Sequence, residues 1–275
     1  MPAWRSARIR DVQPRHRRGG ALLFVFGTLA WGVGCGGGSS AVPTAVVESL
    51  APRARTAHFD VHAGQATDTA VADIGTALES RYGRVTSDLM TGDVPRMTVE
   101  VWSDQASFLA EMERFLGQRY NATGYVTGPT GLRVLAVPSV ARNATHEMSH
   151  AISLSVNPTF ANRPRWLWES VALFENDEFV DPRSIAYLAQ GRFPTLAELD
   201  ADPNASRQVY EVGYLIGEFV VARAGRDGLL RLIRSNGDVT VLGFASPAHF
   251  ESEWASFVRA RYFAGAGLTL GEALQ

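Results

Sequence analysis

The sequence lacks three features that would each point to a common class of protein. It has one cysteine, Cys35, in 275 residues, so it can form neither an internal disulfide nor a cysteine-rich zinc site. All 26 of its basic residues are arginine, which removes lysine nucleophiles and Schiff-base lysines from the possible chemistries. Its net charge of −2 is not the basic surplus that nucleic-acid-binding proteins carry. We therefore expect no nucleic-acid partner, and any metal must be held by His and carboxylate side chains.

Long apolar runs are also missing, and the apolar stretch near the N-terminus is short. It extends from Ala21 to Val33, which is too short to cross a bilayer as a helix, and it follows an arginine-rich flank. A positive flank, a short apolar core and small residues are typical of an export signal. Cys35 follows this core and resembles the lipidated cysteine of bacterial lipoproteins, with the Gly/Ser stretch 36–40 as a flexible tether. The alternative is a simple cleaved signal with an incidental cysteine.

These features predict a leader and tether at residues 1–40 and one domain at residues 50–275. We expect the protein to be exported. It would be a lipoprotein of the cell envelope, on the periplasmic or outer-membrane side, or it would be secreted. A lipidated Cys35 would be its only membrane attachment. With 46% hydrophobic and 20% charged residues, the chain has the composition of an ordinary globular protein.

Hydrophobic periodicity predicts an α+β fold, with a small mixed sheet and helices over residues 55–140 and a mainly helical part over 141–265. Alternating apolar residues predict strands at 55–62 and 96–102, and shorter ones at 124–127 and 132–137. Helical spacing and capping residues predict the remaining elements. These are helices at 68–90, after an N-cap at Ser103, from an N-cap at Asn143 to Val156, from Pro164 to Glu175, after Thr195, at 207–224, at 227–234, and from Ser246 to Tyr262.

The most informative motif is His146-Glu147-Met148-Ser149-His150, inside the helix that follows Asn143. Residues at i and i+4 project from one face of a helix, so both imidazoles can bind the same ion. Glu147 lies one position round the helix, where it can act on a water and not as a ligand. This division of roles is typical of zinc hydrolases. The alternative is a chance match on an ordinary helix.

A third ligand is available on the next predicted helix. Glu169 follows His150 after eighteen intervening residues, and its neighbours on that helix are mostly apolar. An unpaired carboxylate in an apolar setting is costly, and a metal ion removes that cost. The alternative is a surface residue that pairs with Arg165, four residues earlier. Taken together, the three residues predict one zinc ion held by His146, His150 and Glu169, with a fourth position left open.

This pattern of motif, spacer and Glu169 in a Trp-x-Glu-x-x-Ala context resembles the gluzincin metallopeptidases, which include the thermolysin-like and aminopeptidase-like enzymes. The chain is most similar to the bacterial peptidase MA-like domains. The similarity extends over about residues 95–262, including the strand and helix start Val99–Phe108, the segment from Pro164 to Glu175, and the helix that carries Tyr210. Ser170 stands where the family usually has Gly, which could change how the second helix packs.

The resemblance implies a sheet whose edge strand holds an extended peptide, followed by a helical half. The segment Gly124–Gly128 is our candidate edge strand, although its glycines equally suit a loop. The resemblance also implies a donor that stabilises the oxyanion. Tyr210 and Tyr214 are the candidates, and the position in the family favours Tyr210. Each could equally be a half-buried packing residue.

Other polar residues are weaker candidates. His58 and His62 have ligand-like spacing, but no third ligand accompanies them. Asp177, Glu178 and Asp181 form an acidic stretch that we interpret as a solvated loop. His249 follows an N-cap and is expected to be solvated.

The sequence therefore predicts a zinc metallopeptidase with Glu147 as general base and a peptide or protein as substrate. One alternative is a catalytically inactive binding lipoprotein on the same scaffold. Its weakness is that Glu147, which an inactive protein is free to lose, is intact. Another alternative is a zinc hydrolase of a non-peptide bond, because an activated water can attack other carbonyls.

Overall fold

The computed structural model describes residues 51–201 and 207–264. The predicted leader 1–40, including Cys35, lies outside the described residues. The described part is a mixed α/β structure with a five-stranded sheet in the N-terminal half and eight helices, most of them in the C-terminal half. None of these helices is both long and apolar enough to span a membrane.

The sheet is mixed, and its strand order is β1-β2-β3-β5-β4. The central strands β2, β3 and β5 run parallel, while β1 and β4 pair antiparallel at the two edges. Central strands of this kind are buried on both faces, which suits the runs of Val and Met that they contain. The strands are β1 (Ala54–Arg55), β2 (Phe59–Ala63), β3 (Met97–Trp102), β4 (Gly124–Gly128) and β5 (Gly131–Leu135).

The prediction of one strand at 55–62 was wrong, because the chain turns there. Residues 56–58 connect the two short strands β1 and β2, which form a hairpin. Only His62 therefore lies on a strand. His58 precedes it and pairs through Nδ1 with Glu79, at 2.7 Å. The other predicted strands are confirmed, and β4 is the edge strand that we expected at Gly124–Gly128.

The helices divide into three that pack on the sheet and five that form the C-terminal half. α3 contacts β4 and β5 on one side and the helices α1 and α4 on the other, so it lies where the two parts of the fold meet. The helices are α1 (Asp68–Asp88), α2 (Gln105–Leu116), α3 (Val140–Val156), α4 (Arg165–Glu175), α5 (Ala186–Ala189), α6 (Leu196–Leu199), α7 (Gln208–Arg234) and α8 (Pro247–Val258).

Some helix termini have the capping residues predicted from the sequence, and others do not. Thr195 and Glu198 form the predicted capping box of α6, and Ser246 caps α8. The N-cap of α2 is Asp104, not Ser103, since the Asp104 carboxylate accepts a hydrogen bond from the Ser107 amide. Asn143 is not a cap either. α3 begins one turn earlier, at Val140, and the Asn143 side chain donates instead to Thr123 Oγ1.

The sequence predicted that a helix ends at Gly225, and the helical segment before Gly225 does end there. Gly225 has a left-handed backbone conformation (φ 67°) inside α7, which is a kink between two helical segments. Glycine takes up this conformation without the steric cost that a side chain would add. The kink separates two helical segments, and the segment before it approaches α4 closely at Gly213 and Gly217.

Each face of the sheet is covered by its own cluster of buried side chains. On one face Val99, Val101 and Leu132 join the main core. On the other face α2 covers a smaller cluster that includes Trp102 and Phe108. Within that second face the buried Arg133 pairs with Glu100 (2.9 Å) and Glu111 (3.1 Å). Since a buried charge is tolerated only when paired, this cluster fixes α2 on the sheet.

Candidate metal centre

α3 places the first two candidate ligands on one face, as the spacing predicted. The imidazole rings of His146 and His150 lie 4.8 Å apart between centroids and are nearly perpendicular. Both side chains are largely buried, with 13% of His146 and 4% of His150 exposed. The two Nε2 atoms can therefore bind one ion.

α4 brings the third candidate ligand to the same point. Glu169 Oε2 lies 3.3 Å from His146 Nε2 and 3.8 Å from His150 Nε2. The three ligand atoms all lie within 4.8 Å of one another. Two imidazole nitrogens and one carboxylate oxygen at such separations could hold one metal ion. The described residues form no other cluster of three or more potential ligands.

Close packing of α4 against its neighbours positions Glu169. The indole of Trp168 stacks on His150, with ring centroids 4.1 Å apart and planes 3° from parallel. α7 approaches α4 closely at two glycines. A Cβ at Gly213 would lie 2.6 Å from Leu173 Cδ1, and one at Gly217 would lie 2.5 Å from Phe174 Cβ. These glycines let the two helices, and hence Glu169 and Tyr210, come together.

Glu169 does not pair with Arg165, which was the alternative explanation for its position. Arg165 instead donates through Nη1 to the carbonyls of Leu199 (3.3 Å) and Ala201 (3.4 Å). The partners of Glu169 are the two histidines and Tyr210, whose hydroxyl donates to Glu169 Oε1 at 3.2 Å. The geometry therefore favours a ligand role for Glu169 over a surface ion pair.

Glu147 lies beside these ligands and against the edge strand. Its side chain is buried, and a Cβ at Gly124, the first residue of β4, would lie 2.5 Å from Glu147 Oε1. Only a residue without a side chain leaves this space to the carboxyl group. Gly124 is thus a functional position that sequence reasoning missed, because a glycine in a glycine-rich segment carries no signal of what packs against it.

Glu178 is a second residue that sequence reasoning missed, and the prediction of a solvated loop was wrong for it. Its side chain is only 19% exposed, and His146 Nδ1 donates to Glu178 Oε1 at 2.8 Å. Asn176 Nδ2 donates to the same oxygen at 2.8 Å. A carboxylate that accepts from the second nitrogen of a ligating histidine fixes the tautomer and the orientation of that ring. Asp177 and Asp181 are partly exposed, and each pairs with arginine.

His150 differs from His146 at its second ring nitrogen. His150 Nδ1 is buried, and no hydrogen-bond partner accompanies it among the described residues. Its ring is held by stacking on Trp168 instead. With Nδ1 facing the core, Nε2 is the nitrogen that faces Glu169.

The two candidate tyrosines have different surroundings. Tyr210 contacts the candidate ligand Glu169 directly, and burial together with the Glu169 charge raises the pKa of its phenol. Tyr214 packs its ring on Phe174 (5.4 Å) and Phe179 (5.3 Å). Of the two, Tyr210 is the one that the structure brings to the candidate ligands.

The charges at the site are set by burial and by hydrogen bonds. Burial alone would lower the pKa of His146, but its hydrogen bonds with Glu169 and Glu178 outweigh this and raise the pKa to about 10. Burial lowers the pKa of His150 to about 4. Burial would raise the pKa of Glu169, but both histidines hold it well below its usual range. Burial raises the pKa of Glu147 to about 8.

The comparisons with known proteins add nothing to this geometry. No protein-family model and no curated protein matches the chain significantly. The interpretation of the site therefore rests on the residues themselves.

Proposed function

We propose that the protein is an exported zinc metallopeptidase of the gluzincin type. The observation that carries this proposal is the buried cluster of His146, His150 and Glu169 with Glu147 beside it. Two helices meet so that three donors converge, and a fourth group that can accept a proton lies next to them. The mixed sheet followed by a helical half is compatible with a thermolysin-like catalytic domain.

The donor set supports zinc. Zinc in hydrolases is held by three protein ligands, commonly two histidines and a carboxylate, and one position stays open. Two histidines and one carboxylate also bind iron in some oxygenases. The position of Glu147 favours hydrolysis, because a Glu between two histidines in this spacing is the general base of zinc metalloproteases. When bound, zinc supplies Lewis acidity that lowers the pKa of water and polarises a carbonyl group.

The side chains of this chain divide the remaining work. Glu147 accepts the proton of the attacking water and returns a proton to the leaving amine. Tyr210 donates its phenolic proton in a hydrogen bond to the oxyanion. Glu178 holds the Nδ1 proton of His146, so that Nε2 of the same ring is kept free for the metal.

The raised pKa of Glu147 suits this role. General acid–base groups work best when their pKa lies near the working pH. Burial takes the Glu147 carboxyl towards that range, and the positive charge of a metal ion would lower its pKa again. Glu147 can thus exchange a proton at neutral pH.

A peptide substrate is favoured by the position of β4. This strand is the edge of the sheet, and its first residue touches Glu147. An edge strand has unpaired backbone groups that can bind an extended peptide of any sequence. A peptide added to β4 would thus pass beside the proposed base.

The test is peptide hydrolysis by the purified full-length protein, with Glu147→Gln as the matched control. We expect wild type to contain one zinc ion per chain and to cleave members of a broad peptide library. Glu147→Gln should keep its zinc and lose about 10²–10⁴-fold in turnover, which is the usual contribution of a general base. If both proteins bind zinc and neither cleaves any peptide, the inactive binding protein or the hydrolase of another bond becomes the better proposal.

A further inference from the structure

A buried arginine next to the candidate metal site forms no salt bridge with any described carboxylate. Arg165 is 4% exposed, and its Nε and Nη2 atoms have no hydrogen-bond partner among the residues that the structure describes. Nη1 makes two long contacts, with the carbonyls of Leu199 and Ala201. No Asp or Glu within the described ranges forms a salt bridge with it. Buried charges in proteins are normally paired, so this guanidinium is unusual.

Two further arginines without a carboxylate partner lie near Arg165. Arg207 is exposed, and its guanidinium lies 5.4 Å from the centre of the Tyr210 ring, while that of Arg165 lies 5.3 Å from the same centre. Arg163 is also exposed and lines the same open cleft as Arg165. Within the described part of the chain, neither Arg163 nor Arg207 forms a salt bridge. Two positive charges, those of Arg165 and Arg207, therefore lie against Tyr210, and a third, that of Arg163, lines the cleft with Arg165.

The cleft has a volume of about 600 Å³ and is lined mainly by polar groups. Besides Arg163 and Arg165 it contains Thr159, Asn162, Pro164, Asp200 and Asn236. Asp200 Oδ1 accepts from the amide of Trp166 at 2.9 Å, and Asp200 forms no salt bridge with Arg165, although the guanidinium is close enough to act on the pKa of Asp200. The buried Oδ1 of Asn162 is likewise without a partner. The charge of the cleft is thus positive, and it attracts anions.

Arg165 connects this cleft to the metal ligands. It lines the cleft and also lies against Tyr210, and the Tyr210 hydroxyl contacts Glu169. A group bound at Arg165 is therefore separated from the metal site by a single side chain. Arginine suits carboxylates in particular, because its planar fork donates two parallel hydrogen bonds to them.

We propose that Arg165, with Arg163 and Arg207, forms a carboxylate-binding subsite that selects peptides bearing a carboxylate on this side of the scissile bond. The proposal rests on the peptidase function proposed above. The carboxylate can be the C-terminus of the peptide or an Asp or Glu side chain. Both sources present the same planar anion to the guanidinium.

The test is peptide binding to the zinc-loaded Glu147→Gln protein, which binds without turnover. Fluorescein-labelled hexapeptides are made as C-terminal acids and amides, and with Glu or Gln at each internal position, and binding is followed by fluorescence anisotropy. We expect the carboxylate member of at least one pair to bind at least about tenfold more tightly, as for one charge-assisted hydrogen-bonded pair. The acid–amide pair identifies a C-terminal carboxylate, and the Glu–Gln pairs identify a side chain.

Substitution of the arginines tests whether this carboxylate preference comes from the proposed subsite. Introducing Arg165→Met should reduce the preference to less than about twofold, and Arg165→Lys should restore part of it, because lysine keeps the charge but loses the fork. Arg163→Ala and Arg207→Ala should each reduce the carboxylate preference by less than Arg165→Met does, because Arg163 and Arg207 are exposed. Arg231→Met is the control, because Arg231 lies on the second segment of α7 and pairs with Asp227.

Three results would overturn the proposal: equal binding within every pair, an unchanged preference in Arg165→Met, or no binding of any peptide. If Arg165→Met does not fold, the peptide pairs measured on the Glu147→Gln protein and the two exposed variants decide. Because the measurement uses an inactive protein, it does not depend on hydrolysis. A protein that binds carboxylates selectively but cleaves nothing would refute the peptidase proposal and keep the subsite.

Discussion

Glu147 and Glu169 are both buried, yet their pKa values shift in opposite directions. Glu169 hydrogen-bonds to two histidines and stays ionised. Glu147 is desolvated, and the opposing charge of His146 only partly offsets this. Two carboxyl groups with separated pKa values are suited to two roles, one as a ligand and one as a base. The environments of single residues therefore distinguish the functions of two chemically equal groups.

Glu178 should strengthen metal binding through His146. In Glu178→Gln the amide oxygen can still accept from Nδ1, but the negative charge is lost. We expect the zinc affinity of this variant to fall about tenfold, at the lower end of the effect of such outer partners. Competition with a chromogenic chelator measures the affinity. Glu253→Gln, on the exposed face of α8, is the control. An unchanged affinity in Glu178→Gln would show that Glu178 does not support the ligand.

Zinc binding should release protons at pH 7. In the metal-free protein the pKa of His146 is raised to about 10, so this ring is protonated at pH 7 and must lose a proton before Nε2 can bind metal. His150 is already neutral, since its pKa is lowered to about 4, and Glu169 is already ionised. Glu147 adds a fraction of a second proton when the ion lowers its pKa. We thus expect between about one and two protons per zinc.

The sign of the pH dependence follows from the raised pKa of His146. Since zinc competes with a proton on His146, zinc affinity should rise with pH and level off near the His146 pKa of about 10. Titration calorimetry in two buffers with different heats of ionisation counts the protons. Zinc binding without proton release at pH 7 would contradict the protonation states described here.

At the residue scale the sequence predicted which residues cluster as candidate ligands, but not their partners. His146, Glu147 and His150 follow from helical spacing alone, and Glu169 followed from its apolar context. Glu178 and Gly124 did not follow, because each acts through a contact with a distant part of the chain. No local pattern distinguishes an acidic loop residue that points to solvent from one that turns back to a histidine 32 positions earlier.

Two elements fix the geometry of the site, the edge strand β4 and the packed pair of α4 and α7. β4 contacts α3 along its length and meets Glu147 at Gly124. α7 carries Tyr210 to Glu169 because Gly213 and Gly217 permit a close approach to α4. Ser170, where the domains that the sequence resembles usually have Gly, fits this packing. Its hydroxyl donates to the Trp166 carbonyl of its own helix at 2.6 Å.

Gly124→Ala should separate zinc binding from catalysis. The added methyl group would collide with the Glu147 carboxyl, which is the flexible partner and must move. We expect one zinc ion per chain to remain and turnover to fall by at least about tenfold, because a displaced base transfers protons poorly. Gly83→Ala on α1 is the control, since a Cβ there meets nothing within 4 Å. Full activity of Gly124→Ala would show that Glu147 does not need this contact.

At the element scale most strands and helices could be predicted, and the errors lie at their ends. Long apolar periods identified α1, α3 and α7, and the Thr195 capping box identified α6. The start of α3 was predicted four residues late, because Asn143 has the chemistry of a cap but is used in a tertiary hydrogen bond to Thr123. The β1–β2 hairpin was missed because alternation continues through its turn.

At the scale of the whole molecule, the candidate metal site joins the sheet-associated part to the helical half. α3 belongs to the first part, α4 to the second, and the site contains candidate ligands from both. Three carboxyl groups, those of Glu147, Glu169 and Glu178, lie close together there. A divalent cation would offset their mutual repulsion, so we expect metal binding to stabilise the fold as a whole. The sheet order and the packing of helices against it depend on contacts far apart in sequence, which periodicity cannot predict.

Metal removal should lower the melting temperature. Free zinc at about 1,000 times its dissociation constant adds about 4 kcal/mol to the folded state. For a domain of this size, that corresponds to a rise of roughly 10 °C over the metal-free protein. Differential scanning calorimetry with zinc and with EDTA measures the difference. A melting temperature that is equal in both would mean that no metal binds the folded protein tightly.

The central claim is that one zinc ion is held by His146, His150 and Glu169, and metal analysis of His150→Ala beside wild type tests it most directly. Both proteins are purified identically, equilibrated with equal free zinc and analysed by mass spectrometry for bound metal. We predict one zinc ion per chain in wild type and loss of most of it in His150→Ala, because two ligands hold zinc much more weakly than three. Full zinc occupancy in His150→Ala would contradict the account.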